Sequence, residues 1–305
     1  MQINVKIAIE LQRASNCLLS PPIHTTLPKE GESPPFFLAC GEAAKRGNSS
    51  SHRNFFVKRE PLFNIPPVVL VVLALLALVH GVRTQLLSDD QDIAFLIGFA
   101  FIPARYDSSA VLDGALPGGF GAEIWTFVSY SLIHADWTHF GVNAVWLLPF
   151  GSAVARRFGA LRFIAFFAVT AAAGAALHLA THAGEQFPMI GASAAVSGLM
   201  AAAMRFAFQR GGPLNLLRAD NDEAYRVPAI PLIHVLKDAR VLIFLGVWFG
   251  INLIFGLGSL SFTGSDQPVA WQAHIGGFLA GLLLFSWFDP APNRPQNDDI
   301  AATRH

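Results

Sequence analysis

The sequence has few charged residues and few cysteines. Only 14% of its 305 residues are charged, against about a quarter in an ordinary soluble domain. Basic and acidic residues are equal in number, at 21 each, so no net charge would recruit nucleic acid. The two cysteines, Cys17 and Cys40, have neither metal-ligand spacing nor a CxxC motif. These scarcities argue against a water-soluble globule, a nucleic-acid binder and a disulfide-stapled domain.

Long apolar runs are abundant instead, and 53% of the residues are hydrophobic. A helix needs roughly 20 mostly apolar residues to cross the bilayer core. Six runs of about this length are present: 65–82, 137–155, 162–180, 190–208, 241–258 and 270–288. The sequence therefore predicts an all-α polytopic membrane protein with six transmembrane helices and the lipid bilayer as its surroundings.

Basic residues alternate between the segments that connect these runs. Eight lie in segment 1–63 and five in segment 209–240, whereas segments 181–189 and 259–269 have none. Cytoplasmic loops keep an excess of Lys and Arg. We therefore expect both termini to be cytoplasmic.

The chain divides into three parts on composition. We expect 1–63 to be a mostly disordered cytoplasmic tail, 64–288 the membrane domain and 289–305 a second cytoplasmic tail. Segment 83–136 is long for a connection, and its amphipathic stretch 123–133 predicts partly interfacial structure.

Polar side chains at membrane depth are costly and are functional candidates by default. In span 2, Asp136 is a plausible N-cap, and His139 and Asn143 follow four residues apart on one helix face. The alternative is that they form ordinary hydrogen bonds between helices.

Span 4 begins with a glycine-containing loop that leads into a serine, at Gly191 and Ser193. The first N–H groups of a helix have no partner within the helix, so this terminus can hold a developing oxyanion. A serine in a membrane helix more often bonds the carbonyl one turn back.

Span 6 has a histidine near its start, His274, followed by a GxxxG surface at Gly277 and Gly281. The matching small face of span 4 recurs every four residues, at Ser193, Ser197 and Ala201. Packing these faces together would bring Ser193 and His274 into hydrogen-bond reach. A neutral histidine there is a general base for the weakly nucleophilic hydroxyl.

The predicted topology supports this convergence. Spans 2, 4 and 6 run in the same direction, from outside to inside. Four polar residues lie in their first turns, at one depth: His139, Asn143, Ser193 and His274. Random placement would rarely produce this arrangement.

Three sequence motifs follow one another along the chain. They are a histidine five before an H-x-x-x-N pair (His134, His139, Asn143), a G-x-S element (Gly191, Ala192, Ser193) and an A-H-x-x-G-x-x-x-G element (Ala273, His274, Gly277, Gly281). Residues 65–288 thereby resemble the rhomboid intramembrane serine proteases. Several features depart from the better-known members: the first outer loop has no Trp-Arg pair, Ser197 stands where an aromatic residue often lies, Ala155 replaces a glutamate seen in some relatives, and loop 209–240 is longer than the minimal form.

The resemblance implies a six-helix bundle with a Ser–His dyad. Ser193 would attack the substrate peptide bond, and His274 would take the serine proton. His139, Asn143 and the Ser193 N–H would hold the oxyanion. The implied substrates are single-span transmembrane proteins cut near the outer face, without a cofactor or metal ion, and the implied location is the plasma membrane of a bacterium.

Two alternatives remain open. His178 and His182 are four apart and Glu185 follows, which suggests a metal-dependent protease, although an H-E-x-x-H motif is missing. The other alternative is a non-catalytic rhomboid-like scaffold that binds membrane helices. His80 and Asn252 are interpreted as helix-packing or interfacial residues.

Overall fold

The structure of the protein is a computed structural model, which describes residues 65–107, 116–209, 213, 222–235, 237–256 and 270–290. Within these residues the regular structure is helical, apart from one isolated β-bridge between Phe101 and Met189. The expected all-α class is therefore confirmed for this part of the chain. The tail 1–63, and the second tail from residue 291 onward, lie outside the described residues.

The α-helices follow one another along the membrane domain. They are α1 Pro67–Gln85, α2 Asp89–Phe99, α3 Gly119–Ser129, α4 Trp137–Trp146, α5 Ser152–Phe158, α6 Ala160–Thr181, α7 Ser193–Met204, α8 Leu232–Val235, α9 Ala239–Gly256 and α10 Trp271–Phe288. Each of the six apolar runs thus contains a helix. Of the described helices, α1 and α6 are long and apolar enough to cross a membrane by length and composition. The number and direction of the crossings stay predictions.

Two of the predicted spans differ from the helices found. Span 2 is divided by a π-helical turn at Leu147–Gly151, which contains Pro149. Proline has no N–H to donate to the preceding turn, so the regular hydrogen-bond ladder is interrupted there. Span 4 yields a shorter helix, because Gly191 has a φ of +125° and cannot belong to it.

Helix α7 lies at the centre of the packing. Every residue from Ala194 to Met204 is buried. Its side chains are mostly small, which lets neighbouring backbones approach closely. The polar Ser197 is accommodated because its hydroxyl donates to the Ser193 carbonyl one turn back, at 2.7 Å.

Helices α7 and α10 pack through glycine, as predicted, but on a different face of α7. A methyl group at Gly277 would overlap the Ala194 carbonyl, and one at Gly281 would overlap the Gly198 carbonyl. The contact therefore follows Ala194 and Gly198 and not the expected row of Ser193, Ser197 and Ala201. A shift of one residue turns the face by about 100°. Both contacts advance by four residues, so the two helices run parallel.

The long connection between α1 and α4 contains helical structure, and its place at the membrane interface stays a prediction. It carries α2, α3 and two 3-10 turns at Pro103–Tyr106 and Tyr130–Leu132. Ser88 caps α2 in a reciprocal capping box with Gln91. The Phe101–Met189 bridge ties this loop to the segment that precedes α7, with N···O distances of 3.1 and 2.8 Å.

Candidate active site

Ser193 is the first residue of α7 and is partly exposed, whereas the residues that follow it are buried. Ala192 is the N-cap and supplies no side-chain acceptor, so no side chain caps the N–H groups of the first turn. The approach to the helix is fixed by Gly191, whose N–H donates to the Tyr130 carbonyl at 3.0 Å. A nucleophilic hydroxyl and free backbone donors therefore occupy one helix terminus.

His139 lies against this terminus. A methyl group at Gly191 would be 2.8 Å from His139 Nε2, which is too close, and 3.7 Å from Ser193 Oγ, so the glycine lets the His139 ring approach the backbone beside Ser193. His139 Nδ1 accepts a hydrogen bond from the Ala135 N–H at 3.4 Å. A neutral imidazole with Nδ1 as acceptor carries its proton on Nε2. Nε2–H is thus a hydrogen-bond donor next to Gly191 and Ser193.

Helix α4 holds His139 and Asn143 through its own hydrogen bonds. The Asp136 carboxylate accepts from the His139 N–H at 2.7 Å, which confirms the predicted N-cap. The buried Asn143 donates through Nδ2 to the His139 carbonyl at 3.0 Å. Because an amide nitrogen carries two hydrogens, one donor of Asn143 remains for a second partner.

His274 lies in the first turn of α10. Because α7 and α10 run parallel and meet at Ala194 and Gly277, His274 and Ser193 belong to the same end of the helix pair. The contacts of the described residues do not include a direct hydrogen bond between Ser193 Oγ and His274. Bonds between a nucleophile and its base are often long in a free enzyme.

The Nδ1 atom of His274 forms a short hydrogen bond with Oδ1 of Asn252 on α9. The Asn252 amide is itself fixed, because its Nδ2 donates to the Trp248 carbonyl at 2.8 Å. Oδ1 is therefore the atom that faces the histidine, and Nδ1 of His274 is the donor. This contact is not predicted from the sequence, where Asn252 is interpreted as a helix-packing or interfacial residue. The one indication in the sequence is that Asn252 is a polar amide within an apolar run.

Comparison with known families identifies the chain. The model of the Rhomboid domain matches residues 121–289. The chain belongs to the rhomboid family. This family generally consists of serine intramembrane proteases that act on transmembrane substrates, and it also contains inactive members. The chain is accordingly a multi-pass integral membrane protein. No curated protein matches it.

A buried network of hydrogen bonds fixes the segment that precedes α4 of this rhomboid, next to the candidate site. The His134 carbonyl accepts from Arg83 Nη1 at 2.9 Å and contacts His80 Nδ1 at 3.2 Å. Arg83 is held in turn by a two-bond ion pair with Asp92, at 2.7 and 2.9 Å. His80 is fully buried and links α1 to the segment before α4, as a packing residue would. Arg83 and Asp92 were not singled out from the sequence.

The His134 ring packs edge-on against His139, with ring centroids 5.1 Å apart. Burial lowers the pKa of His134 to about 3, and the neighbouring His139, His80 and Arg83 add to this effect. His134 is therefore neutral near pH 7. The uncharged His134 ring helps to fix the orientation of the His139 ring, and it does not attract an anion itself.

The alternative metal ligands of this rhomboid lie at the end of α6. His178 ends the buried face of the helix, His182 is the C-cap, and Glu185 lies in the following loop, as expected. One ligand atom from each lies within 4.8 Å of the others. These three side chains therefore converge, although no metal ion is expected from the sequence.

Proposed function

We propose that this rhomboid is a serine endopeptidase that cleaves single-span transmembrane proteins near the outer membrane face. The observation that carries the proposal is that His139 and Ser193 both lie beside Gly191, while His274 belongs to the same end of the α7–α10 pair. The proposed setting is a bacterial plasma membrane, with both termini cytoplasmic and the site at the outer ends of α4, α7 and α10.

Ser193 is the proposed nucleophile and His274 the proposed general base. Ser193 Oγ attacks the scissile carbonyl carbon while its proton passes to His274 Nε2. The same proton then goes to the leaving amine as the peptide C–N bond breaks, which leaves an ester on Ser193. Water hydrolyses that ester in the reverse sequence of proton transfers and restores the serine.

The proposed oxyanion donors are His139 Nε2–H, the free amide hydrogen of Asn143 and the Ser193 N–H. The contact from Ala135 supports the His139 assignment, because it places the ring proton on the nitrogen nearest Gly191. Donors of this kind act on charge that develops in the transition state, and one of them is worth about 10²–10³ in kcat.

Asn252 is the proposed positioning residue for His274. It accepts from Nδ1–H, which leaves the Nε2 lone pair of His274 free to take the serine proton. The dyad implied by the family resemblance thus gains a third, neutral member in this chain. Asn252 acts through the histidine and not on the substrate.

Comparison of fragments released from membranes tests the proposal and identifies the substrates. Vesicles with the wild-type protein should release fragments of single-span proteins that are absent with Ser193→Ala and with His274→Ala. The controls are Ser152→Ala, whose buried hydroxyl has no hydrogen-bond partner among the described residues, and the exposed His234→Ala. Identical fragments from wild type and Ser193→Ala would instead favour the non-catalytic scaffold.

The same assay separates a serine protease from a metal-dependent one. Cleavage should survive treatment with a chelator and be lost after treatment with a serine-directed reagent. The reverse pattern would assign the chemistry to the cluster of His178, His182 and Glu185.

A further inference from the structure

The cluster of His178, His182 and Glu185 is preorganised by the backbone. The two imidazoles stand one helical turn apart with nearly parallel rings, whose centroids are 4.6 Å apart. A tight turn then brings Glu185 back, with its N–H donating to the His182 carbonyl at 3.1 Å. Gly184 permits that turn with a φ of +77°, where a methyl group would also lie 2.9 Å from Asp107 Oδ2. The Glu185 carbonyl accepts from the Ala104 N–H at 2.8 Å, which fixes the far side of the turn.

One oxygen of the Glu185 carboxylate is not satisfied by hydrogen bonds from the described part of the chain. Glu185 Oε2 is buried and has no hydrogen-bond partner among the described residues. Its neighbour His178 Nε2 is 3.7 Å away, which is too far for a hydrogen bond. A buried carboxylate oxygen without a donor is costly. A cation between the imidazoles and the carboxylate would remove this cost.

We propose that His178, His182 and Glu185 form a zinc-binding site, distinct from the proposed Ser–His chemistry. Two imidazoles and one carboxylate suit Zn²⁺, whereas Mg²⁺ and Ca²⁺ prefer oxygen ligands alone. Zinc–ligand bonds of about 2.0–2.2 Å in a tetrahedron put the ligand atoms roughly 3.4 Å apart. The three ligand atoms lie within 4.8 Å of one another here, so small side-chain rotations would bring them to that separation.

The surroundings of His182 support its role as a ligand. Its Nδ1 lies 2.8 Å from Thr181 Oγ1, and that hydroxyl also lies 3.0 and 3.1 Å from the Leu177 and His178 carbonyls. With the hydroxyl proton donated to a carbonyl, His182 Nδ1–H donates to Thr181 and Nε2 is left to bind the metal ion. Such a partner on the second nitrogen orients metal-binding histidines.

Gln272 of α10 completes the surroundings. Its amide nitrogen is 3.4 Å from His182 Nε2, so the Gln272 side chain lies next to one of the three ligand residues. A half turn of the amide brings its oxygen there in place of the nitrogen. A bound ion would then connect the end of α6 and its following turn to the start of α10, two residues before His274.

Zinc binding by the purified full-length protein, with any affinity tag removed, tests the proposal. We expect one Zn²⁺ per chain in metal analysis after gel filtration, and tetrahedral visible absorption when Co²⁺ is used. His182→Ala and Glu185→Gln should each lose stoichiometric binding. Thr181→Val should weaken it about 10–100-fold, because it removes only the orienting partner. The exposed His234→Ala is the matched control and should bind as the wild type does.

Thermal unfolding without metal shows that each variant is folded, and added Zn²⁺ should raise Tm only where the three ligands are intact. Absence of zinc from the wild type would overturn the proposal, as would undiminished binding by His182→Ala. Loss of binding in His274→Ala with retention in His182→Ala would also overturn it, because the ion would then occupy the proposed catalytic site.

Discussion

His139 and His274 have the same side chain but different hydrogen-bonding roles at the residue scale. His139 Nδ1 accepts from a backbone N–H, so its Nε2 is a donor. His274 Nδ1 faces the oxygen of Asn252, so its Nε2 is an acceptor. One ring can therefore stabilise an oxyanion while the other takes a proton from Ser193, and neither needs to be charged at the start of the reaction.

Replacement of Asn252 tests this division of roles. Asn252→Leu should lower kcat with little change in KM, because the His274 ring loses the acceptor that fixes its tautomer. The loss should exceed about 10-fold and stay below the roughly 10⁴-fold loss caused by an imposed wrong tautomer. Asn252→Asp, which still accepts from Nδ1–H, should recover most of kcat. Wild-type kcat in Asn252→Leu, measured by steady-state kinetics, would show that Asn252 only packs.

Ser193, His139 and His274 could be found from sequence because each is polar in an apolar run and follows a spacing rule. Asn252 is equally conspicuous in its own run, but its partner lies 22 positions away, beyond segment 257–269. No local period relates the two. The partners of Arg83 are hidden for the same reason, since they depend on how a long loop folds back.

At the element scale, the pairing of α7 with α10 was predictable but its face was not. GxxxG spacing in α10 marks a surface of close approach. Every face of α7, however, carries small residues, which include Ala194, Ser197 and Gly198. Spacing alone cannot choose among these faces. The choice follows from which of them allows backbone contact with Gly277 and Gly281, and that depends on the helices that cover the remaining sides.

Gly277→Ala should destabilise the protein by about 1–3 kcal/mol, because the added methyl group meets the Ala194 carbonyl and forces the helices apart. Thermal unfolding in detergent or bilayers measures the change. Gly250→Ala on α9 is the matched control, since its methyl group meets no atom within 4 Å and alanine favours a helix. Equal Tm values for the two variants would contradict the packing described here.

At the scale of the whole molecule, Arg157 on α5 connects two segments distant in sequence, the one before α8 and the end of α10. It forms a two-bond ion pair with Asp289, at 2.9 and 2.8 Å, and donates to the Tyr225 and Val227 carbonyls at 2.8 Å. Both ionised side chains are almost fully buried. In the sequence, Arg157 is only a positive charge at the end of a predicted membrane span. Its burial shows a structural role that charge counting does not reveal.

Asp289→Ala should lower the unfolding free energy by about 3–5 kcal/mol, because it leaves the Arg157 charge buried without its partner. The control is Asp238→Ala, which removes an ion pair to the exposed Arg240 and should lower the unfolding free energy by much less. Chemical denaturation of both variants in the same lipid or detergent measures the difference. Similar losses of unfolding free energy in both variants would show that the buried Arg157–Asp289 pair contributes no more to stability than the exposed pair does.

The most direct measurement of the central claim is labelling of the full-length protein with a fluorophosphonate, which reacts with an activated serine whatever the natural substrate is. We predict a single adduct, mapped by mass spectrometry to Ser193, that is lost in His274→Ala and retained in His234→Ala. An adduct that persists unchanged in His274→Ala, or failure of Ser193 in the folded wild type to react, would contradict the proposed activation of Ser193 by His274.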